Sequence, residues 1–274
     1  MNLVKMGRLF YGLGLLSYGL QQIIIRDFRP QILPGFPAWV HAYAVFPIVT
    51  GIAMTVAGLL VTGLFKTRES VKRSICLYLG FYFLTLLLVS HIPYLLFVYP
   101  HKLSHLGSWG DALKGLAFCG ASFNMAGSFL VVPPNSNNHH NQFGQFLSKL
   151  IPLGRIFYCT TIILFGCNHF VYDLSGMVPK WFGMRGFWSH FGGAALIASG
   201  TAILLKIFMR PVSLLLATML FLWFLLLDVP GAIGNPTAGR GNLIVSAFDA
   251  LLFCGTALVI AQSTSAGNNK SKFF

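Results

Sequence analysis

Two residues of opposite charge interrupt apolar stretches of this sequence: Lys114 in WGDALKGLAF and Asp249 in NLIVSAFDALLFCG. An ionisable side chain inside an apolar span costs about 2.5–3.5 kcal/mol on insertion scales, which makes it a functional candidate by default. Lys114 follows Trp109 by five residues and Asp249 follows Asn242 by seven. At 1.5 Å per residue they sit roughly 8 Å and 10 Å along their helices. Phe118-Cys119-Gly120 and Phe253-Cys254-Gly255 stand at the same distance beyond them, so a cation in one place answers an anion in the other. Each would lower the burial cost of its partner. The pair serves either as a structural ion pair or as one that faces a ligand.

Other polar side chains fall at the same depth. His91 and Asp228 each precede a proline by two residues, where a helix is expected to end or kink. His41 and His190 open apolar segments, and Gln21, Gln22, Asn168 and His169 close two others. One reading is an interfacial belt, where His, Gln, Trp and Tyr sit at headgroup level. The sharper reading is a pocket for an amphipathic ligand built from Lys114, Asp249, His91, Asp228, His41 and His190. A quinone suits it: the tail would lie among Phe and Leu, the carbonyls would accept hydrogen bonds, and His91 and Asp228 would exchange protons. Haem between histidines and a histidine–Asp228 metal site are weaker readings, because the histidines fall at segment ends. The five cysteines form no CxxC pattern, so neither zinc nor a disulfide framework is expected. There is no G-x-G-x-x-G, Walker, H-E-x-x-H or nucleophile-elbow motif, so nucleotide-driven or hydrolytic chemistry is not indicated.

Composition fixes what must position these residues. Of 274 residues, 55% are hydrophobic and 9% charged, with 26 Phe and mean hydropathy +0.72. A soluble domain carries about 25% charged residues, and disorder needs low hydrophobicity. What remains is an all-α polytopic membrane protein. Eight apolar segments are expected as spans, near 7–25, 42–65, 74–98, 109–132, 154–171, 188–208, 211–229 and 242–262. Lys5 and Arg8 before the first resemble a signal peptide, but no small-residue cleavage site follows, so it is read as a retained span. The net charge of +13 fits the excess of Lys and Arg on cytoplasmic loops rather than nucleic-acid binding. With the N-terminus inside, twelve of the 19 Lys and Arg fall inside and six outside, so both termini are expected in the cytoplasm.

The halves repeat each other. Gly7-Arg8-Leu9-Phe10-Tyr11 returns as Gly154-Arg155-Ile156-Phe157-Tyr158, Trp39-Val40-His41 as Trp188-Ser189-His190, and His91-Ile92-Pro93 as Asp228-Val229-Pro230. Two parallel four-helix repeats are expected as neighbouring bundles: residues 1–132, a polar cytoplasmic linker at 133–153, and residues 154–274 ending in a short cytoplasmic tail. A four-span unit opened by Gly7-Arg8-Leu9-Phe10, with Trp109-Gly110-Asp111-Ala112-Leu113-Lys114-Gly115-Leu116-Ala117 opening its fourth span, resembles the DoxX-like membrane proteins. The resemblance is best in the first half; in the second, Trp109 has no counterpart and Asp249 replaces Lys114. It implies redox chemistry of thiols, thiosulfate or quinols in a bacterial cytoplasmic membrane, with a soluble redox partner. The function expected is therefore quinone binding in the outer leaflet as the membrane subunit of a redox system, with membrane lipids as surroundings. Its rivals are a small-solute or lipid transporter and a non-catalytic membrane scaffold.

Overall fold

The computed structural model describes residues 2–129 and 142–270. Each of the eight apolar segments contains a helix. These are α1 (Leu3–Ile25), α2 (Val45–Thr62), α3 (Glu69–Leu86, continued to Val98), α4 (Gly110–Ser128), α6 (Leu153–Val171), α7 (Arg185–Leu204), α8 (Met209–Trp223, continued to Gly234) and α9 (Asn242–Lys270). Five stretches are long and apolar enough to cross a membrane alone: α2, Glu69–Val98, α7, Met209–Gly234 and Ala238–Gln262. A sixth counts if α6 is joined to the short helix before it, α5 (Gln142–Lys149), across a 44° bend. The protein is thus an all-α polytopic membrane protein.

Asn2 caps α1, its side chain accepting from the Val4 N–H at 3.0 Å. α1 and α4 have spanning length but carry charged residues, Lys5 and Arg8 in one and Asp111 and Lys114 in the other. The packing explains this. α1, α4, α6 and α9 form an inner group, with α1 on α9, α9 on α4 and α4 on α6. α2 covers α1, α3 covers α4, α7 covers α6 and α8 covers α9. An inner helix faces other helices and need not be apolar all round. The window within Ala238–Gln262 is 72% buried, against 22% for that within Met209–Gly234. The halves do not stand as separate bundles, because α1 packs on α9 and α4 on α6.

Two crossings bring inner backbones close. A Cβ added at Gly255 would meet the Gly7 carbonyl at 2.5 Å, and one at Gly120 would meet the Gly154 carbonyl at 2.7 Å. Only glycine permits either approach.

The prolines act differently from the expected stop. Pro93 and Pro230 lack an N–H and crowd the preceding turn. The chain absorbs each by widening to π-helical turns, at Leu87–His91 and Tyr94–Val98 in α3 and at Phe224–Asp228 in α8. The expected linker also differs. Phe143, Phe146, Leu147 and Leu150 recur at helical spacing, and α5 buries Leu147 while Phe143 lies against Tyr78 and Phe81 of α3. Residues 133–141 of that linker, with Pro133, Pro134, His139 and His140, lie outside the described residues, as does the tail at 271–274.

Candidate functional site

Lys114 and Asp249 meet. Gly115, Ala117 and Phe118 pack α4 into the inner group, and Lys114 reaches α9, where its Nζ stands 2.7 Å from Asp249 Oδ2. The other carboxylate oxygen, Oδ1, accepts from the Tyr18 hydroxyl at 2.6 Å. Tyr18 is fully buried on α1, edge-on to Phe118 at 5.1 Å between ring centroids. The Asp249 side chain is 6% exposed and that of Lys114 is 21%. Asp111, one turn earlier on α4, and Asp228 lie within electrostatic reach of the ammonium. A lysine ammonium held in place can donate to a carbonyl or bind an anion.

The remaining sequence candidates divide. His91, at the end of its π turn, is 3% exposed, and its Nε2 lies 3.3 Å from the Ile32 carbonyl. It packs against the Gly115 position, next to Lys114. Asp228 ends the matching π turn of α8, half-buried and in reach of both Lys114 and Asp249. His41 belongs to a second polar group beyond the pair. His190 belongs to neither. It is exposed on α7, its Nδ1 bonded to the Gly186 carbonyl of its own helix at 2.8 Å and its ring against Phe170.

The second group forms where the connection 26–44 turns inward. α1 stops at Arg26, whose φ of 53° lies in the left-handed region. The chain then buries Phe28, Arg29, Gln31, Ile32 and Leu33. Arg29 Nη1 donates to the Arg240 carbonyl and Nη2 to Asn242 Oδ1, both at 2.9 Å. Gln31 Nε2 donates to the same Asn242 oxygen at 3.1 Å. Asp27 binds Arg240 Nη1 at 2.9 Å and His41 Nδ1 at 3.0 Å. His41 Nε2 lies 2.7 Å from the Pro34 carbonyl. Burial alone would raise the Asp27 carboxyl. Hydrogen bonds from His41, Arg240 and the Phe28 N–H outweigh it and hold the group below its usual range. Burial likewise draws the Arg29 guanidinium down from its ordinary value.

These residues line a polar chamber of ≈ 470 Å³, with Asp27, Arg29, Gln31, His41, Asp111 and Arg240 on its wall. Beside it runs an apolar groove of ≈ 680 Å³ between α1 and α9, lined by Leu16, Leu20, Ile24, Ile244 and Phe248 among others. Ile25 and Arg240 border both cavities. Sequence reasoning missed Tyr18, Asp27, Arg29, Gln31 and Asn242. Asp27 and Arg29 carried a signal, being charges between an apolar helix and Pro30; Tyr18 carried none, since a tyrosine in an apolar helix reads as packing.

Among the described residues no group of three His, Cys, Asp or Glu side chains is placed to hold a metal ion. Four of the five free cysteines are buried, and Cys167 is half-buried. Compared with models of known protein families, with curated proteins and with solved structures, the chain matches none.

Proposed function

We propose that the Lys114–Asp249 centre is the binding site of a quinone or similar lipophilic ligand, in a DoxX-like protein that serves as the membrane subunit of a redox system. One observation carries it: a buried Lys114–Asp249 ion pair, braced by Tyr18, with Asp228 and His91 gathered beside it. The donor set fits a quinone head, because Lys114 can donate to a carbonyl oxygen while Asp228 and His91 stand nearby to take or give protons. Bound there, a quinone would supply two-electron, two-proton redox chemistry, with a soluble redox partner providing the other half-reaction. Asp249 and Tyr18 hold the lysine in place, and the rings of Phe118 and Phe253, 6.1 Å apart, keep the surroundings apolar.

The same reading takes all eight helices as spans of two parallel repeats, in a bacterial cytoplasmic membrane with both termini inside. Support comes from the reciprocal glycine crossings. Gly7 meets Gly255 and Gly154 meets Gly120, as a pseudo-two-fold exchange of the halves requires. The matched π turns at His91 and Asp228 agree with it.

The test is extraction of the protein purified in mild detergent, with quinones measured by mass spectrometry. Near-stoichiometric quinone, lost in Lys114→Ala and reduced in Asp228→Asn, is expected. Quinone content that is nil, or untouched by both variants, overturns the reading.

A further inference from the structure

We infer that the second half, at the end where α6 and α8 begin, is a binding surface for one anionic phospholipid, whose phosphate takes the place that Glu69 fills in the first half. This surface lies at the opposite end of the bundle from Lys114 and Asp249, so it stands apart from the quinone reading.

The first half answers its own cations. Arg8 Nη1 pairs with Glu69 Oε2 at 3.0 Å, and Lys72 Nζ stands 3.6 Å from Oε1. Arg8 Nε also donates to Ser128 Oγ at 3.1 Å, and its guanidinium lies 3.8 Å from the centre of the Phe129 ring. The second half keeps the arginine without the acid. Arg155 follows Gly154 as Arg8 follows Gly7. In the register that matches His91-Ile92-Pro93 to Asp228-Val229-Pro230, Glu69 corresponds to Lys206, Lys72 to Met209 and Arg73 to Arg210. The contacts agree with that register: Arg155 Nη1 reaches Met209 Sδ at 3.8 Å, and a thioether is a weak acceptor. Gly193 packs on Gly166 and Gly200 on the Cys159 carbonyl, so antiparallel α6 and α7 bring Arg155 level with Leu204, two residues short of Lys206. Of the six acidic residues, Glu69 alone lies towards this end of the bundle, and Arg8 and Lys72 hold it. Arg155, Lys206 and Arg210 make no ion pair among the described residues.

Three cations with no acid between them ask for an anion, and a guanidinium on an oxyanion forms the stronger, charge-assisted kind of hydrogen bond. Arg155 is half-buried, while Lys206 and Arg210 are exposed, so the group has a fixed inner member and two members that reach outward. The surroundings make the phosphate a lipid's. The turn between α7 and α8 sets Lys206 among Leu205, Ile207 and Phe208, which are 62%, 50% and 77% exposed. Basic and apolar side chains on one turn suit a headgroup with acyl chains beside it, and basic pockets between transmembrane helices select anionic heads. A zwitterionic head would bring its ammonium against three like charges.

The experiment is native mass spectrometry of the full chain, delipidated in detergent and titrated separately with phosphatidylglycerol, phosphatidylethanolamine, phosphatidylcholine and inorganic phosphate. One phosphatidylglycerol should bind about tenfold or more tighter than either zwitterionic lipid. Arg155→Gln and Lys206→Glu should each remove that preference. Lys180→Glu, which reverses an exposed charge at the other end of the bundle, should keep it. Lys206→Glu also gives Arg155 an internal partner, so phosphatidylglycerol should raise the unfolding temperature of wild type and not of this variant. If Arg155→Gln does not fold, Lys206→Glu decides. Equal retention of the three lipids, or a loss in Lys180→Glu as large as in Lys206→Glu, reduces the contact to attraction by net charge and overturns the inference. Inorganic phosphate that saturates the surface and displaces the lipid overturns it in favour of a free anion site. Wild type that selects phosphatidylglycerol but holds no quinone removes the earlier reading and leaves this one.

Discussion

The connection that follows α1 and the one that follows α6 leave similar helices and end differently. Residues 26–44 fold inward, burying Arg29 and Gln31 on α9. Residues 172–184 stay on the surface, with Met177 67%, Trp181 68% and Met184 76% exposed. The difference teaches where a buried arginine can be accommodated. It needs acceptors already held in place, and Asn242 with the Arg240 carbonyl supplies them. In the register that matches Phe253-Cys254-Gly255 to Phe118-Cys119-Gly120, Asn242 corresponds to Gly107, which has no side chain to offer. In the register that matches Gly7 to Gly154, Tyr18 corresponds to Phe165 and Arg29 to Gly176. Residues 172–184 therefore lie beside no counterpart of the polar partners that hold Arg29.

The largest effect should come from the ion pair beneath the inward connection. Asp249→Ala leaves the Lys114 charge buried without its partner, and breaking a buried pair in this way costs about 3–5 kcal/mol. Replacing both, as Lys114→Met with Asp249→Leu, should recover most of that stability while removing ligand. Thermal unfolding of the three forms in one detergent checks it; a single variant as stable as the double would break the comparison. Next comes Arg29→Ala, which strands the Arg240 carbonyl and leaves Asn242 Oδ1 to Gln31, at about 1–3 kcal/mol. Trp181→Ala in the other connection should stay within about 0.5 kcal/mol. Equal losses at the two would mean that both connections are anchored alike. Then His41→Ala should cost about 1 kcal/mol, since its ring joins Asp27 to the Pro34 carbonyl. His190→Ala should leave both stability and ligand content unchanged.

Much of the frame was legible because it depends on length and apolarity alone. All eight segments hold helices, and the Phe-Cys-Gly register pairs the opposite charges of Lys114 and Asp249, which meet at 2.7 Å. What stayed hidden depends on the path of a loop. Trp39-Val40-His41 and Trp188-Ser189-His190 look equivalent in sequence. His41 faces the chamber because the chain before it turns inward, while His190 bonds only its own helix. The interlocking of the halves was equally invisible, because helix neighbours are decided by close crossings such as Gly7 on Gly255 and not by order in the chain.

The smallest effect is in pH, and it separates the two connections again. Each holds a carboxyl below its ordinary value of 3.8: Asp27 through His41, Arg240 and the Phe28 N–H, Asp173 through the side chain and N–H of Ser175. A carboxyl lowered on folding adds stability that is present above the unfolded value and is lost as pH falls through the folded one. For Asp27 the loss should begin below about pH 4 and stay under about 1 kcal/mol, because Arg240 is largely exposed and the pair is partly screened. Asp173 is exposed and hydrogen-bonds Ser175, with Arg185 and His190 only in electrostatic reach, so salt and water should flatten its contribution further. Unfolding midpoints measured at pH 6 and pH 3 should therefore converge in Asp27→Asn and keep the wild-type gap in Asp173→Asn. The opposite result would place the acid-sensitive contact in the surface connection and detach the inward one from the stability of the chamber.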